Sequence, residues 1–180
     1  MTKRVAIIGT RQPDGFQRKL ARLVAFSLTA AASPAIVITG GADGIDRAAM
    51  LGAADTDYLE VVLPWPRYNH ELIPDRACRI VYSPSEHPAW TQSVHSFHPR
   101  PDILTRGGFA LHARNYGIIE PAQFVLALPD ATGGGGTGQG IRIAHALAKP
   151  IVQINRSVMK SDEELRTRHD EIVAQIAKLV

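Results

Sequence analysis

Five short runs of apolar residues, rich in valine, isoleucine and leucine, recur along this chain and constrain its fold more than any other feature. Runs of this kind are typical of parallel strands that are buried on both faces of a sheet. Segments with apolar residues at helical spacing separate them, as Phe16, Leu20 and Val24 show after the first run. This alternation predicts a parallel sheet with right-handed crossovers. The predicted strands are 5–8, 35–39, 58–63, 124–128 and 151–154.

The predicted fold class is α/β: a doubly wound, Rossmann-like parallel sheet of five strands with helices on both faces. If the chain crosses to the other half of the sheet after its third strand, the strand order is 3-2-1-4-5. Ligands bind to such sheets where the order reverses, outside the carboxyl ends of strands one and four. Those ends carry Gly9-Thr10-Arg11 and the segment from Pro129 to Gln139, so we expect a ligand crevice between them.

The 180 residues predict a single domain, 1–180, with an irregular insertion over about 64–109. Seven of the twelve prolines and both tryptophans lie in this insertion, which makes it too aromatic for a disordered linker. We expect an ordered segment over the sheet edge, with a short helix from Pro74 to Val81. Beyond it, the pattern predicts a helix over Ala110 to Ile119 and a closing helix that begins at a capping box, Ser161 to Glu164.

The composition bounds the class of protein. An apolar fraction of 45% and a charged fraction of 21% are ordinary for a globular domain. No apolar run approaches the roughly 20 residues that span a bilayer, so no membrane partner is expected. The single cysteine, Cys78, excludes a disulfide framework and fits a cytoplasmic protein. The net charge of +3 permits nucleic-acid binding without arguing for it.

A glycine-rich segment, Gly133 to Gly140, follows the fourth strand and leads into a predicted helix over Ile141 to Ala148. A strand, a glycine loop and a helix together form a common seat for phosphate, because unpaired N–H groups point out of the first helical turn. Glycines also let an anion approach the backbone closely and adopt positive φ angles. Two other interpretations stay open: a mobile linker, or close helix–sheet packing in an oligomeric scaffold without a ligand.

A second glycine-rich segment, Gly40-Gly41-Ala42-Asp43-Gly44-Ile45-Asp46, follows the second strand and opens a helix. Asp43 has three interpretations: it holds a ribose hydroxyl, caps the helix, or pairs with Arg11. Asp46 lies inside the first turn, where an acid simply favours the helix dipole. Neither G-x-G-x-x-G nor G-x-x-x-x-G-K-[ST] occurs, so ordinary dinucleotide binding and P-loop hydrolysis lack their motifs.

Histidines cluster in and beside the insertion, at positions 87, 95, 98 and 112. Their spacing matches no standard zinc pattern and no cysteine assists, so we expect packed or solvated histidines, no metal and no cofactor. No Ser-His-Asp arrangement or nucleophile elbow is present, and no catalytic residue is assigned.

Several of these segments resemble, in kind and order, the Rossmann-like domain of the DNA-processing protein A family (DprA, also called Smf). They are Gly9-Thr10-Arg11, Gly40 to Asp46, Ala113-Arg114-Asn115 and the Gly-Gly-Thr-Gly-Gln loop at 135–139. Stand-alone, phage-associated members are most similar, through Leu63-Pro64-Trp65, His87-Pro88-Ala89-Trp90 and Leu111-His112-Ala113-Arg114-Asn115. The resemblance spans roughly Val5 to Ile154, and the conjunction of motifs is more specific than any one of them.

The resemblance implies a crevice that binds the phosphates of single-stranded DNA or of a nucleotide, in DNA processing or recombination. Arg11 and Arg114 would neutralise phosphates, and Asn115 or Gln139 would bind a sugar or base edge. Trp65 or Tyr68 is the candidate for base stacking, with core packing the stronger interpretation of Trp65. The predicted phosphate- or nucleotide-binding residues are Gly9, Thr10, Arg11, Gly40, Gly41, Asp43, Gly44, Arg114, Asn115, Gly134, Gly135, Gly136, Thr137 and Gln139.

Full-length members of the family load a RecA-type recombinase onto single-stranded DNA and dimerise. A recombinase and a second copy of the chain are therefore the protein partners that the resemblance implies. The 180 residues leave no room for the flanking domains of those members, so recombinase loading is implied less strongly than ligand binding.

The wider superfamily includes the "Lonely Guy" (LOG) phosphoribohydrolases and the molybdenum-cofactor carrier proteins, and it supplies the alternative of a nucleotide-processing enzyme or a small-nucleotide sensor. LOG enzymes carry Pro-Gly-Gly-x-Gly-Thr-x-x-Glu, whereas the residue three after Thr137 is Gly140. The carboxylate that would stabilise an oxocarbenium-like transition state is missing there. This argues against hydrolysis unless another acid, such as Glu120, enters the site.

Overall fold

Six parallel strands form one sheet in the computed structural model, which describes residues 2–179. The strands are β1 (Arg4–Gly9), β2 (Ile36–Thr39), β3 (Leu59–Leu63), β4 (Cys78–Val81), β5 (Phe124–Leu128) and β6 (Ile151–Gln153). They lie in the order β4-β3-β2-β1-β5-β6. The predicted α/β fold and the relative order of the five predicted strands are therefore confirmed, and β4 adds a strand at the edge.

Helices cover both faces of this sheet. They are α1 (Gly15–Ala30), α2 (Ile45–Ala53), α3 (Pro88–Phe97), α4 (Arg106–Ile119), α5 (Gly135–Ala146) and α6 (Asp162–Ala177), with 3₁₀ turns at His70–Leu72 and Pro101–Ile103. The Ser161 cap predicted for the last helix is confirmed, because its Oγ accepts the N–H of Glu164 at 3.1 Å. No helix within residues 2–179 is both long and apolar enough to cross a membrane.

The central strand β1 shows why its run is apolar throughout. Val5 and Ile7 belong to the core cluster beneath α1, α2 and α6, whereas Ala6 and Ile8 belong to the cluster beneath α4 and α5. Alternate side chains of a strand point to opposite faces of the sheet, so a strand that is covered on both faces buries both sets of side chains and favours apolar residues at every position. The apolar runs thus identify the strands in the middle of the sheet.

The predicted short helix from Pro74 to Val81 is wrong. The chain makes a single turn, in which the N–H of Ala77 donates to the carbonyl of Pro74, and then extends as β4. Cys78 and Arg79 are exposed at this sheet edge, while Ile80 packs on the core face. A four-residue strand with two exposed residues carries too little periodicity to reveal itself in the sequence.

The segment predicted as an irregular insertion contains β4 and α3. Helix α3 packs on α4 through a separate small core that includes Tyr82, Val94 and Ala113. Trp90 lies so close to Gly117 of α4 that a Cβ atom there would overlap its ring. The aromatic residues of this segment therefore hold α3 against α4 and fix one wall beside the crevice.

The glycine segment before α5 differs from its predicted form. The helix begins at Gly135 rather than at Ile141, so most of the glycines form its first two turns instead of a loop. Gly133 and Gly135 have φ angles of 62° and 61°, which side chains rarely adopt. The chain thus turns sharply at these two residues and presents the start of α5 to the carboxyl end of the sheet.

Candidate functional site

A cavity of about 560 Å³ lies at the carboxyl ends of β1 and β5, where the strand order reverses. We call this cavity the crevice. Its walls are the turn after β1, the side of α4 and the start of α5. Nine of the predicted site residues line it: Gly9, Thr10, Arg11, Arg114, Asn115, Gly134, Gly135, Gly136 and Thr137.

The start of α5 presents unpaired backbone donors to the crevice. Gly134 occupies the N-cap position without a side chain to cap the helix. The N–H groups of Gly135, Gly136 and Thr137 have no hydrogen-bond partner within residues 2–179. Their partial positive charge adds to that of the helix dipole, so this end of α5 favours an anion.

Asp130 shapes the turn that leads into α5. Its Oδ1 atom accepts the N–H and the hydroxyl of Thr132, at 2.9 and 2.7 Å, and the N–H of Gly133 at 2.9 Å. The hydrogen bond from the Thr132 side chain is the largest of the effects that lower the pKa of the Asp130 carboxyl. The carboxylate is therefore engaged with the loop, which it holds in place, even though it lines the crevice.

Arg114 is the most deeply placed cation of the site. Only 7% of the residue is exposed, and its Nη2 atom lies 3.7 Å from Oδ2 of Asp46. Its Nε atom is buried without a hydrogen-bond partner within residues 2–179. Burial lowers the pKa of the Arg114 guanidinium, and the Asp46 carboxylate opposes that effect. A buried, incompletely satisfied guanidinium beside a cavity is costly unless a ligand completes its bonds.

Asp46, rather than Asp43, is the carboxylate of α2 that faces the crevice. It is 4% exposed and accepts the N–H of Ala42 at 3.2 Å. Burial raises the pKa of the Asp46 carboxyl, and the guanidinium of Arg114 is the strongest opposing influence. Asp43 is exposed and pairs with Arg47 at 3.7 Å, so it does not line the crevice.

Gln139 ties α4 to α5 instead of pointing into the crevice. It is fully buried, and its Oε1 atom accepts the Nδ2 group of Asn115 at 2.8 Å. The same oxygen lies 2.7 Å from Nδ1 of His112, which donates if that nitrogen carries the proton. Burial lowers the pKa of His112. Asn115 also donates to the carbonyl of Gly136 at 3.2 Å, so it holds the start of α5 in position.

The predicted glycines after β2 lie behind the wall of the crevice. Gly40 faces the Arg114 guanidinium and Gly44 faces the backbone of the turn at Thr10 and Arg11. A Cβ atom on Gly41 would lie 3.0 Å from Leu63 and Val61. These three glycines therefore permit close packing, and none of them lines the crevice.

The two candidates for base stacking lie beside the crevice rather than in its lining. The rings of Trp65 and Tyr68 meet edge to face, with centroids 5.1 Å apart. Trp65 is 38% exposed, so its indole is not committed to the core. The hydroxyl of Tyr68 accepts the Nη2 group of Arg11 at 3.5 Å, which connects this aromatic pair to the rim.

Several lining residues are not among the predicted binding residues: Gln12, Asp46, His112, Asp130, Thr132 and Arg156. Asp130 and Thr132 nevertheless lie in the segment from Pro129 to Gln139 that is predicted to border the crevice. Asp130-Ala131-Thr132-Gly133 has the composition of an Asx turn, which is a usable signal for the loop. Arg156 follows the short edge strand β6, and its sequence surroundings give no such signal. Within residues 2–179, no three His, Cys, Asp or Glu side chains are close enough to hold a metal ion.

Comparison with known proteins bears on this site. Residues 1–64 match the family model described as DNA recombination-mediator protein A. The predicted resemblance to the DNA-processing protein A family is confirmed. No curated protein matches the chain. The matched DprA segment carries β1, β2, β3 and the turn with Gly9, Thr10 and Arg11, whereas Arg114 and α5 lie beyond it.

Solved structures extend the likeness to almost the whole chain at the level of the fold. DNA processing protein A from Helicobacter pylori, from a study of its single-stranded DNA binding mode, has a TM-score of 0.68 and 22% identity, and the match covers 98% of this chain and 80% of that one. The molybdenum cofactor binding protein of Rippkaea orientalis has a TM-score of 0.61 and 17% identity, and the match covers 97% of this chain and 86% of that one. The molybdenum cofactor carrier protein of Chlamydomonas reinhardtii has a TM-score of 0.53 and 17% identity, and the match covers 98% of this chain and 87% of that one.

Proposed function

We propose that this DprA-like chain binds single-stranded DNA in its crevice, through the phosphates, as part of DNA processing. The family resemblance and the single-stranded DNA binding of the Helicobacter pylori protein support this choice of ligand. The same resemblance supports a RecA-type recombinase and a second copy of the chain as further partners. The chemistry of the crevice supplies an independent reason to expect a phosphate.

One observation carries the proposal. The free N–H groups at the start of α5 and the cationic residue Arg114 border the same cavity. A phosphate group accepts hydrogen bonds from backbone N–H groups and, in fixed geometry, from a guanidinium. Binding would therefore satisfy the N–H groups of Gly135, Gly136 and Thr137, which have no partner within residues 2–179, and would place the negative charge beside Arg114.

The charges around the crevice favour an anion. Arg11 and Arg156 line it together with Arg114, and neither of these two forms a salt bridge within residues 2–179. Three guanidinium groups thus face two carboxylates in the lining, of which Asp46 pairs with Arg114 and Asp130 bonds to its own loop through Oδ1. If three cations each contact one phosphate, the logarithm of the affinity should fall with the logarithm of salt with a slope of about −2.

The decisive variant is Gly134→Asp. Gly134 has φ −92°, which any residue adopts, and a Cβ atom there would meet only the Thr132 hydroxyl, at 3.5 Å. An aspartate at this N-cap accepts the N–H groups that the phosphate needs and adds a repelling charge. We expect the affinity for a labelled oligonucleotide, measured by fluorescence anisotropy, to fall about tenfold or more. Stability should rise by roughly a few tenths of a kcal/mol.

Gly134→Asn is the matched control, because asparagine caps the helix in the same way without a charge. It should weaken binding about threefold or less. Equal affinities in Gly134→Asp and wild type would show that α5 does not hold a phosphate. A wild-type protein that binds no oligonucleotide at low salt, or whose affinity ignores salt, would reject the proposed function itself.

Asp46 favours a second candidate function, a nucleotide-processing enzyme. The position of the LOG glutamate holds Gly140, where a Cβ atom would lie 2.6 Å from the Ile8 side chain, and Glu120 caps the far end of α4 outside the crevice. Asp46 is a buried carboxyl with a raised pKa that lines the crevice, and such groups are candidates for acid–base chemistry. Incubation with nucleoside monophosphates should then release free base in the wild type and not in Asp46→Asn. No release from the wild type rejects this candidate.

A further inference from the structure

A second cavity, of about 600 Å³, lies on the other side of the turn that leads into α5, near the carboxyl ends of β5 and β6. Its lining residues are Pro129, Asp130, Ala131, Thr132, Gly133, Gly138, Ile141, Arg142, Gln153, Asn155 and Arg156. Four of these, Asp130, Ala131, Thr132 and Arg156, also line the crevice. The two cavities therefore share one wall, and a ligand that fills the first reaches the second by crossing that wall.

The second cavity is basic. Arg142 reaches it from α5, where its Nε atom donates to the carbonyl of Phe97 at 3.0 Å and its Nη1 atom lies beside Gly138. Neither Arg142 nor Arg156 is within salt-bridge distance of a carboxylate in residues 2–179. Asp130 is the one acid in the lining, and its Oδ1 atom is taken up by Thr132 and Gly133. Two guanidinium groups are thus free to contact an anion here.

Two glycines lie between the cavities, next to the four residues that line both. Gly133 lines the second cavity and Gly134 lines the crevice, and we call this pair the glycine rim. Both residues are exposed, and a Cβ atom on Gly133 would meet no atom within 4 Å. At these two positions no side chain separates one anion-favouring site from the other.

We propose that a single DNA strand crosses the glycine rim, with one phosphate at the start of α5 and a following phosphate at Arg142 and Arg156. A polyanion with regularly spaced charges matches two adjoining basic cavities, whereas a free nucleotide carries its charge at one end and fills only one of them. This inference rests on the proposed function and adds to it a second phosphate site, at Arg142 and Arg156, that the crevice alone does not supply.

The test compares Arg142→Ala with Arg166→Ala. Arg142 lines the second cavity alone, whereas Arg166 is an exposed arginine of α6 that lines neither cavity, so both variants lose one positive charge. Fluorescence anisotropy with a labelled oligo-dT of about 16 nucleotides measures strand binding. Competition by dTMP measures occupation of the crevice alone.

We expect Arg142→Ala to weaken oligonucleotide binding about tenfold and to reduce the salt slope by about 0.7, because one phosphate contact is lost. Arg166→Ala should bind the oligonucleotide with the affinity of the wild type. The inhibition constant of dTMP should be the same for the wild type and both variants, because dTMP occupies the crevice alone. Oligonucleotide affinities that are the same in Arg142→Ala and Arg166→Ala would overturn the inference while leaving the proposed function intact. An affinity that does not increase from dTMP to the oligonucleotide would do the same. Failure of the wild type to bind either ligand would instead reject the proposed function.

Discussion

The two glycine-rich segments lie on either side of the carboxyl end of β1, one after β2 and the other after β5, and they differ in what surrounds each glycine. After β2, the Arg114 guanidinium occupies the space where a Cβ atom of Gly40 would lie. The turn after β1 occupies the corresponding space at Gly44, which has a φ angle of 81°. After β5, a Cβ atom on Gly133 or Gly135 would meet nothing within 4 Å, and one on Gly136 would meet only Asn115. The first segment makes room for protein atoms, as Gly138 and Gly140 of the second segment also do, whereas the stretch from Gly133 to Gly136 leaves room for something that the chain does not supply.

This difference separates two uses of glycine that look alike in a sequence. A glycine packed against buried groups contributes to stability, so replacing it should unfold the protein without informing on the ligand. A glycine at an open helix start contributes little to packing, so replacing it should affect the ligand more than the fold. Alanine substitutions at Gly40, Gly135 and Gly136 test this division in order of decreasing effect on stability.

Gly40→Ala should have the largest effect. The added Cβ atom overlaps the Arg114 guanidinium, which must then leave its buried place beside Asp46. Disrupting a buried ion pair typically costs about 3 kcal/mol, and we expect a loss of this size in the free energy of unfolding measured with urea. A stability within about 0.5 kcal/mol of wild type would show that the segment after β2 is not a packing device.

Gly135→Ala should have an intermediate effect. Its φ angle of 61° costs a residue with a Cβ atom about 1–2 kcal/mol, although the space around it is empty. The loss should therefore come from the backbone alone, and Gly135→Asn should recover part of it, because asparagine tolerates this region better. If alanine and asparagine are equally destabilising, contacts rather than φ govern this position.

Gly136→Ala should have the smallest effect on stability and the opposite sign. Gly136 lies within α5 without a positive φ, and alanine in a helix is favoured over glycine by up to about 1 kcal/mol. The methyl group extends into the crevice, so oligonucleotide affinity should fall while the melting temperature rises. A variant that gains stability and binds as tightly as wild type would place the phosphate elsewhere.

The sequence predicts the sheet well where strands are buried on both faces and poorly at its edge. β1 and β5 are continuous apolar runs, which leaves few alternatives to central strands. β4 is four residues long with Cys78 and Arg79 exposed, so pairing with β3 rather than its own pattern defines it. The start of α5 also cannot be predicted from the sequence, because glycine is a poor helix former and four consecutive glycines predict a loop. There, the tertiary position of the segment overrides its propensity.

The site shows a similar division. Arg11 and the first turn of α5 follow from the positions of strand ends, which the fold class determines. The choice between Asp43 and Asp46 depends on where α2 begins: Gly44, with φ 81°, is the N-cap, and Asp46 in the first turn lies beside Arg114. Arg156 enters from the loop after β6, and its arrival in the crevice depends on how that edge strand is placed. Neither of these facts has a counterpart in the residue pattern.

The central position of β1 has a consequence for how the site comes into existence. The main-chain N–H of Arg4 donates to the side chain of Gln123, 119 residues later, and β1 pairs with β5 from Val5 to Gly9. The two walls of the crevice therefore come together only when a very long loop closes. The entropy of loop closure is lost before the contacts between the strands form, and this slows folding. A nascent chain that has reached residue 64 already carries the segment that matches the family model, but it has neither Arg114 nor α5 and can hold no phosphate between two walls.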